Sequence, residues 1–132
     1  MKTILFAGAD RVTREGCRRA LEDEGYRVIL ASDAIRAVNL WRSERPDVVI
    51  LDNLLSRQGA LDAAERISSL DLEAPIILYA GYDDAYLRDP RAGHFMACVE
   101  KSKDFAELTL AVVRVLTSYD QARLLRVGLP PA

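Results

Sequence analysis

The residue in this sequence best placed to do chemistry is Asp52, which follows the apolar run at residues 48–51. A run this short and this rich in Val and Ile is typical of a strand buried on both faces, and Pro46 prevents a preceding helix from continuing into it. Open α/β sheets bind their ligands at the carboxyl ends of such strands. Burying a carboxylate there is destabilising unless it is paired or reactive. We therefore expect Asp52 to be a reactive group or one half of an ion pair.

Few other side chains are candidates to act with Asp52. Lys101 ends a later apolar run, and its ammonium group would pair with a carboxylate whether or not the pair has a function. Asp10 follows the first apolar run, where capping a helix is a commoner role for aspartate than binding a metal. Cys17 and Cys98 lack metal-ligand spacing, so we expect reduced thiols that serve as small core residues. A single histidine excludes a multi-histidine metal site.

Five strand-like runs alternate with helical stretches along the chain. The predicted strands are residues 3–7, 27–31, 48–51, 75–80 and 95–100. The predicted helices cover about 11–24, 34–45, 60–70 and 105–126, with only a short or irregular segment at 83–93. Five βα units in regular alternation predict an α/β fold of three layers, in which helices cover both faces of a parallel sheet.

Length and charge limit the classes of function. The 132 residues fit a single domain at 1–120, followed by a C-terminal helical extension and tail at 121–132. The net charge of −2 gives no electrostatic reason to expect nucleic acid or an anionic membrane as a partner. No apolar run approaches ~18 residues and the start of the chain has no signal-peptide pattern, so a cytoplasmic location is expected.

Several stretches make the sequence resemble the receiver domain of bacterial two-component response regulators. They are residues 31–34, 44–52, 74–77 and 99–101, and the resemblance extends from Ile4 to about Leu116. This resemblance implies a flavodoxin-like (βα)5 fold with strand order 2-1-3-4-5. It also implies that a histidine kinase transfers a phosphoryl group to Asp52 with the help of Mg²⁺.

The resemblance assigns further roles around Asp52, and two of the implied positions are degenerate. Lys101 matches the lysine that contacts the phosphoryl oxygens, and the backbone carbonyl of Leu54 would bind the metal ion together with Asp52. The acidic pair that holds Mg²⁺ in the family falls on Gly8 and Ala9, which have no carboxylate. The resemblance therefore implies a weakened Mg²⁺ site, and no other cofactor is expected.

The positions that respond to phosphorylation are also altered. The switch hydroxyl falls on Ala80 and its aromatic partner on Cys98, while Asp10 lies one residue beyond the acidic pair as a candidate replacement ligand. Three tyrosines expected at the rim offer hydroxyl groups, although packing is their simpler role: Tyr79, Tyr82 and Tyr86. Losing one preorganised charge stabiliser costs ~3–4 kcal/mol. The sequence thus predicts an atypical receiver with impaired Mg²⁺-dependent phosphorylation; the alternative is a working phosphoacceptor that uses Asp10.

The partner expected for such a module is a histidine kinase or another signalling protein. The resemblance implies a contact face made by the segment at 83–93, which takes the place of a fourth helix, together with the fifth strand and the last helix. The domain would also form a homodimer through this face. A third class of function is an enzyme that binds flavin or another small ligand on the same architecture. It is disfavoured because the loops at Gly8, Asn53 and Gly81 lack a phosphate cradle rich in Ser and Thr.

Overall fold

In the computed structural model, five parallel strands form one sheet with helices on both faces, as the sequence predicts. The structure describes residues 1–55, 59–81, 90–102 and 104–126. The strands are β1 (Thr3–Ala7), β2 (Arg27–Ala31), β3 (Val48–Asp52), β4 (Ile76–Ala80) and β5 (Ala97–Glu100). The helices are α1 (Arg11–Asp23), α2 (Ala34–Glu44), α3 (Gly59–Leu70) and α4 (Ala106–Arg126), with a 3₁₀ helix at Pro90–His94. The strand order β2-β1-β3-β4-β5 confirms the predicted flavodoxin-like topology.

The central strand β3 carries the candidate site and is buried along its whole length. It pairs with β1 on one side and β4 on the other, with Asp52 opposite Tyr79. Because successive side chains of a strand point to opposite faces, β3 contributes to two separate cores. Val49 packs with the core that includes α2 and α3, whereas Ile50 packs with the core that includes α1 and α4.

Capping residues fix where the first two helices begin. The Asp10 side chain accepts a hydrogen bond from the backbone N–H of Thr13 at the start of α1. Asp33 accepts from the backbone N–H of Arg36 in the same way at the start of α2. Each carboxylate satisfies an N–H that has no partner within its helix, which confirms the cap predicted at Asp10 and adds a second one at Asp33.

The structure corrects the prediction for Cys98, which is exposed and belongs to neither core. Its neighbours Ala97 and Val99 pack on the face of the sheet covered by α1 and α4. Alternation along the strand turns Cys98 to the other face, and β5 lies at the edge of the sheet, where β4 is its one neighbour among the described strands. Cys17, by contrast, is buried in α1 as predicted.

The last helix continues without a break from Ala106 to Arg126, so the predicted extension is helical as far as it is described. Two ion pairs between exposed side chains link this helix to the residues just before β1 and β4. They join Lys2 to Asp120 and Glu73 to Arg126. The domain boundary at residue 120 remains a prediction. Within the described ranges, no helix has both the length and the apolar character needed to cross a membrane. Of the irregular segment predicted at 83–93, residues 83–89 lie outside the described ranges.

Candidate functional site

Asp52 lies at the carboxyl end of β3 and only 1% of its surface is exposed. Its Oδ1 atom accepts hydrogen bonds from Lys101 Nζ at 2.7 Å and from the backbone N–H of Leu54 at 2.9 Å. The bond to Leu54 is local, because an aspartate readily hydrogen-bonds the backbone two residues further on. The buried carboxylate is therefore held by one charged and one neutral donor.

Lys101 follows β5 directly and is fixed by its backbone as well as by its ammonium group. Its backbone N–H donates to the carbonyl of Ala80 at 2.8 Å, which continues the pairing of β4 and β5 by one residue. Its Nζ atom lies 5.6 Å from the centre of the Tyr79 ring. The structure thus brings Asp52 and Lys101 together as the sequence predicts.

Gly8 also lies beside Asp52, at the position implied for the first acidic residue. A Cβ atom on Gly8 would lie 3.5 Å from Oδ2 of Asp52 but only 2.8 Å from Cε1 of Phe6. Phe6 is fully buried, and its ring packs edge-on against Tyr79 with the ring centres 6.2 Å apart. The ring of Phe6 therefore takes the space through which an acidic side chain at position 8 would reach the site.

The backbone of the β1–α1 loop is held by Arg14. Its Nη1 atom donates to the carbonyl oxygen of Gly8 at 2.7 Å and to that of Ala9 at 2.9 Å. Ala9 itself is exposed. A guanidinium group from α1 thus neutralises two carbonyl dipoles at the end of β1, beside the positions where the family has carboxylates.

Asp10 is exposed and committed to capping α1. Its Oδ2 atom accepts from both the hydroxyl of Thr13, at 2.7 Å, and the backbone N–H of Thr13, at 2.9 Å. The hydroxyl bond, and then the backbone bond, hold the pKa of Asp10 below its usual value of 3.8. These bonds favour helix capping over metal binding as the role of Asp10.

The donors present do not fit an Mg²⁺ ion well. Among the described residues, no three His, Cys, Asp or Glu side chains are grouped closely enough to hold a metal. Mg²⁺ requires near-octahedral oxygen ligands and usually one or two carboxylates. Asp52 offers one carboxylate that already accepts from Lys101, and the backbone carbonyl of Leu54 remains a predicted ligand only.

The structure places the residues at the predicted switch positions as follows. Ala80 ends β4 and is half-buried, opposite Glu100 in the register, with a methyl group in place of a hydroxyl. Tyr79 was expected at the rim but is 2% exposed and lies in the core between the rings of Phe6 and Phe105. Burial is the main reason that the pKa of Tyr79 rises to about 12. The other two tyrosines of that prediction, Tyr82 and Tyr86, lie outside the described residues.

The sequence analysis missed Phe6 and Arg14, although the position of Phe6 relative to Gly8 is informative. Phe6 precedes Gly8 by two residues, so strand alternation places both on the same face of β1. The sequence therefore indicates that the ring of Phe6 contacts Gly8. The reach of Arg14 to two carbonyl groups depends on its side-chain conformation, for which the sequence has no pattern.

Comparison with known families now identifies the class of protein. The family model of the response regulator receiver domain matches residues 4–113. The chain belongs to the response regulator receiver domain family, whose members act in two-component signal transduction.

Individual relatives agree with this assignment. The response regulator MprA of Mycobacterium sp. strain KMS is 36% identical over 80 residues, which are 61% of this chain and 35% of MprA. The chain therefore spans little more than a third of that relative. The response regulator TrrA of Thermotoga maritima, in a crystal structure with Mg²⁺-BeF, is 30% identical with a TM-score of 0.81, covering 87% of this chain and 99% of TrrA. TrrA in complex with the histidine kinase ThkA is similar at 31% identity and a TM-score of 0.78, covering 88% of this chain and 99% of TrrA.

Proposed function

We propose that this receiver domain acts mainly as a protein-interaction module in two-component signalling and accepts a phosphoryl group at Asp52 only poorly. The observation that carries the proposal is the β1–α1 loop, where Gly8 and Ala9 have no carboxylate and the ring of Phe6 lies 2.8 Å from a Cβ built on Gly8. The proposal includes a cytoplasmic location, which rests on the sequence alone.

Phosphoryl transfer to Asp52 depends on how well negative charge is neutralised. A phosphoryl group carries negative charge, and its approach to the carboxylate of Asp52 is repulsive unless cations neutralise both groups. Lys101 supplies one positive charge at 2.7 Å from Oδ1. Mg²⁺ would have to supply the rest, and losing one such stabiliser lowers a rate by ~10²–10³. Ala80 removes a further donor, the hydroxyl that would meet the phosphoryl oxygens of the product.

A second candidate function is that of a working phosphoacceptor, and the intact Asp52–Lys101 pair favours it. The similar protein TrrA was crystallised with Mg²⁺-BeF, which shows that a close structural relative accommodates this pair of ligands. In this chain the second function would require Asp10 to leave Thr13 and turn toward Asp52. Two hydrogen bonds to Thr13 oppose that movement.

The proposed partners are a histidine kinase or another signalling protein, together with a second copy of this chain. The kinase is supported by the complex that TrrA forms with ThkA. The second copy is supported by the face of β5 and α4, where a cleft of 440 Å³ has Glu107 and Arg114 in its wall and Leu110 is 50% exposed. A patch with both signs of charge and exposed apolar area is suited to twofold self-association.

The deciding experiment is incubation with acetyl phosphate, with and without Mg²⁺, followed by intact-mass measurement. We expect little or no mass gain in the wild type, and Asp52→Ala serves as the matched control. A fast Mg²⁺-dependent gain of one phosphoryl group that disappears in Asp52→Ala would contradict the proposal and favour the working phosphoacceptor.

A second measurement addresses the interaction role directly. Asp52→Asn removes the acceptor charge but keeps the side-chain shape, so a phosphorylation-independent module should keep its self-association constant in sedimentation equilibrium. Leu110→Glu, which places a charge on the exposed face of α4, should weaken the same association. If Asp52→Asn changes the constant as much as Leu110→Glu does, the contacts depend on the acceptor and the proposal is wrong.

A further inference from the structure

A groove lies along the β2 edge of the sheet, away from the β5–α4 face. It is also outside the Asp52 pocket, the name we give to the site around Asp52, Lys101, Gly8 and Ala9. It is a cavity of 520 Å³ with Leu30 and Leu40 among its apolar walls. Arg14, Arg36 and Asn39 supply polar groups around it. Cavities of this size with an apolar floor and a few polar groups are typical of binding sites.

The backbone of β2 offers hydrogen-bonding groups along this groove. The N–H of Arg27 donates to Lys2 and the carbonyl of Ala31 accepts from Gly8, which turns these two residues toward β1. In a strand, alternate residues direct their N–H and C=O groups to opposite sides. Val28 and Leu30 therefore direct their backbone groups away from β1, toward the edge of the sheet where no described strand pairs with β2. An extended peptide can add a strand at such an edge.

The charge of the groove selects the kind of peptide. Arg14 and Arg36 contribute two guanidinium groups, and among the described residues no carboxylate lines the cavity. Arg36 pairs with Asp33 at 3.6 Å, but both side chains are about half exposed or more, so this pair is weak and can exchange. Arg14 uses Nη1 for the carbonyls of Gly8 and Ala9, and a guanidinium group carries five N–H donors in all.

We propose that this groove binds an extended acidic segment of a partner protein. The segment adds to the open edge of β2 by main-chain bonds to Val28 and Leu30, places apolar side chains on Leu30 and Leu40, and sets carboxylates against Arg36 and Arg14. A free small anion would use the guanidinium groups alone and leave the apolar floor and the strand edge unused. Peptide binding in this groove does not require phosphorylation at Asp52. Arg14 contacts the β1–α1 loop near Asp52, and the other residues of the groove take no part in that site.

The test uses the whole chain and a short capped peptide that repeats two valines followed by two glutamates as the probe. Leu30 packs on the face of the sheet covered by α1, and Leu40 on the face covered by α2. Each face of the added strand therefore needs both an apolar and an acidic side chain. Amide hydrogen exchange followed by NMR should show protection of the Val28 and Leu30 amides when the peptide is added, and the peptide affinity should fall as salt is raised. A peptide of the same repeat with lysine in place of glutamate should bind at least about tenfold more weakly, because its charges repel the arginines.

Two arginines of α2 form a matched pair of variants. Arg36→Gln should weaken binding of the glutamate–valine peptide by about fivefold, as expected for the loss of one exposed ion pair. Arg42→Gln removes the same charge from the same helix but does not line the groove, so its affinity should equal that of the wild type. Equal losses in both variants, or no protection of the Val28 and Leu30 amides, would overturn the proposal. Binding of acetate or inorganic phosphate that competes fully with the peptide, again without amide protection, would show a small-anion site in place of a peptide site.

Discussion

The two sides of the Asp52 pocket differ in what they have kept. On the side of β3 and β5, the buried carboxylate of Asp52 pairs with the partly exposed ammonium group of Lys101, with Nζ 2.7 Å from Oδ1. On the side of β1, Gly8 and Ala9 carry no functional group, and an aromatic ring and a guanidinium group lie against them. The two sides of the predicted site therefore differ: Asp52 and Lys101 lie in contact, whereas on the β1 side the ring of Phe6 fills the space beside Gly8.

The difference follows from what each half does for the fold. A buried carboxylate without its cation is strongly destabilising, so Asp52 and Lys101 keep each other in place even where no phosphoryl transfer takes place. A pair of carboxylates gathered for a metal has the opposite property, because without the metal they repel each other. In the atypical receiver that we propose, the ring of Phe6 and the guanidinium group of Arg14 would stabilise the β1 side without a metal ion.

The largest effect should come from breaking the charge pair. Lys101→Met keeps most of the side-chain volume but leaves the Asp52 carboxylate buried and unpaired, which we expect to lower the free energy of unfolding by about 3 kcal/mol. Urea denaturation measures the loss. Lys2→Met is the control, since the Lys2–Asp120 pair is about half exposed and contributes at most about 1 kcal/mol.

Adding Asp52→Asn to Lys101→Met should recover most of that loss, because the remaining side chain is then neutral. If Lys101→Met is no more destabilising than Lys2→Met, the two halves of the pocket do not differ as described.

The next largest effect concerns the filled side. Gly8→Asp forces a side chain into the ring of Phe6, and inserting atoms into a packed core costs about 1–3 kcal/mol. Ala9→Asp is the matched control: it adds the same carboxylate at an exposed position, so its stability should stay close to that of the wild type. Thermal unfolding distinguishes the two.

The same two variants report on the metal. Ala9→Asp restores one carboxylate without a clash, and we expect it to raise the Mg²⁺ affinity measured by calorimetric titration. If Ala9→Asp leaves the affinity unchanged, the register that places Ala9 at the acidic pair is wrong.

A smaller effect is expected at Arg14. Arg14→Ala removes the hydrogen bonds from one Nη1 atom to the carbonyls of Gly8 and Ala9, and such bonds contribute roughly 1 kcal/mol each at most when partly exposed. We expect faster amide exchange at residues 8–10 and a decrease of about 1 kcal/mol in the free energy of unfolding. Arg19→Ala, an exposed arginine of the same helix, should change neither quantity. An equal response of both variants would show that Arg14 acts on α1 in general and does not hold the loop.

The sequence predicts the fold well because the signals involved are local and repeated. Apolar runs such as residues 48–51 and caps such as Asp10 and Asp33 each specify one element, and their alternation determines the parallel sheet. The resemblance also placed Asp52 beside Lys101 and Gly8, since the carboxyl ends of neighbouring strands meet at one edge.

The sequence does not predict how the pocket is filled. The ring of Phe6 and the bonds of Arg14 depend on side-chain conformations chosen by packing in three dimensions. Cys98 was wrongly expected in the core because an edge strand leaves one face without cover, and an apolar run alone does not show which strand is at the edge. The errors therefore lie where tertiary position, and not local pattern, decides burial.

The smallest expected effect is at Asp10, and it tests whether this carboxylate belongs to the helix or to a metal site. The Thr13 hydroxyl is the main cause of the lowered pKa of Asp10, so Thr13→Val should raise that pKa toward 3.8, whereas Thr13→Ser should leave it low. Because the folded-state pKa is the lower one, the cap stabilises the fold above the unfolded-state value, and the stabilisation is lost as pH falls through the folded-state pKa. Titration of the Asp10 carboxyl carbon by NMR measures both variants.

The same resonance separates the two roles of Asp10 at neutral pH. A carboxylate that remains bonded to Thr13 should show no change in its carbon shift when Mg²⁺ is added, because the cap bonds persist. If Asp10 instead turns away from the Thr13 hydroxyl to bind the metal, its resonance should move with the Mg²⁺ concentration in the wild type and more readily in Thr13→Val. Such a movement would show that Asp10 supplies the carboxylate that Gly8 and Ala9 lack. The two sides of the pocket would then form one metal-binding site.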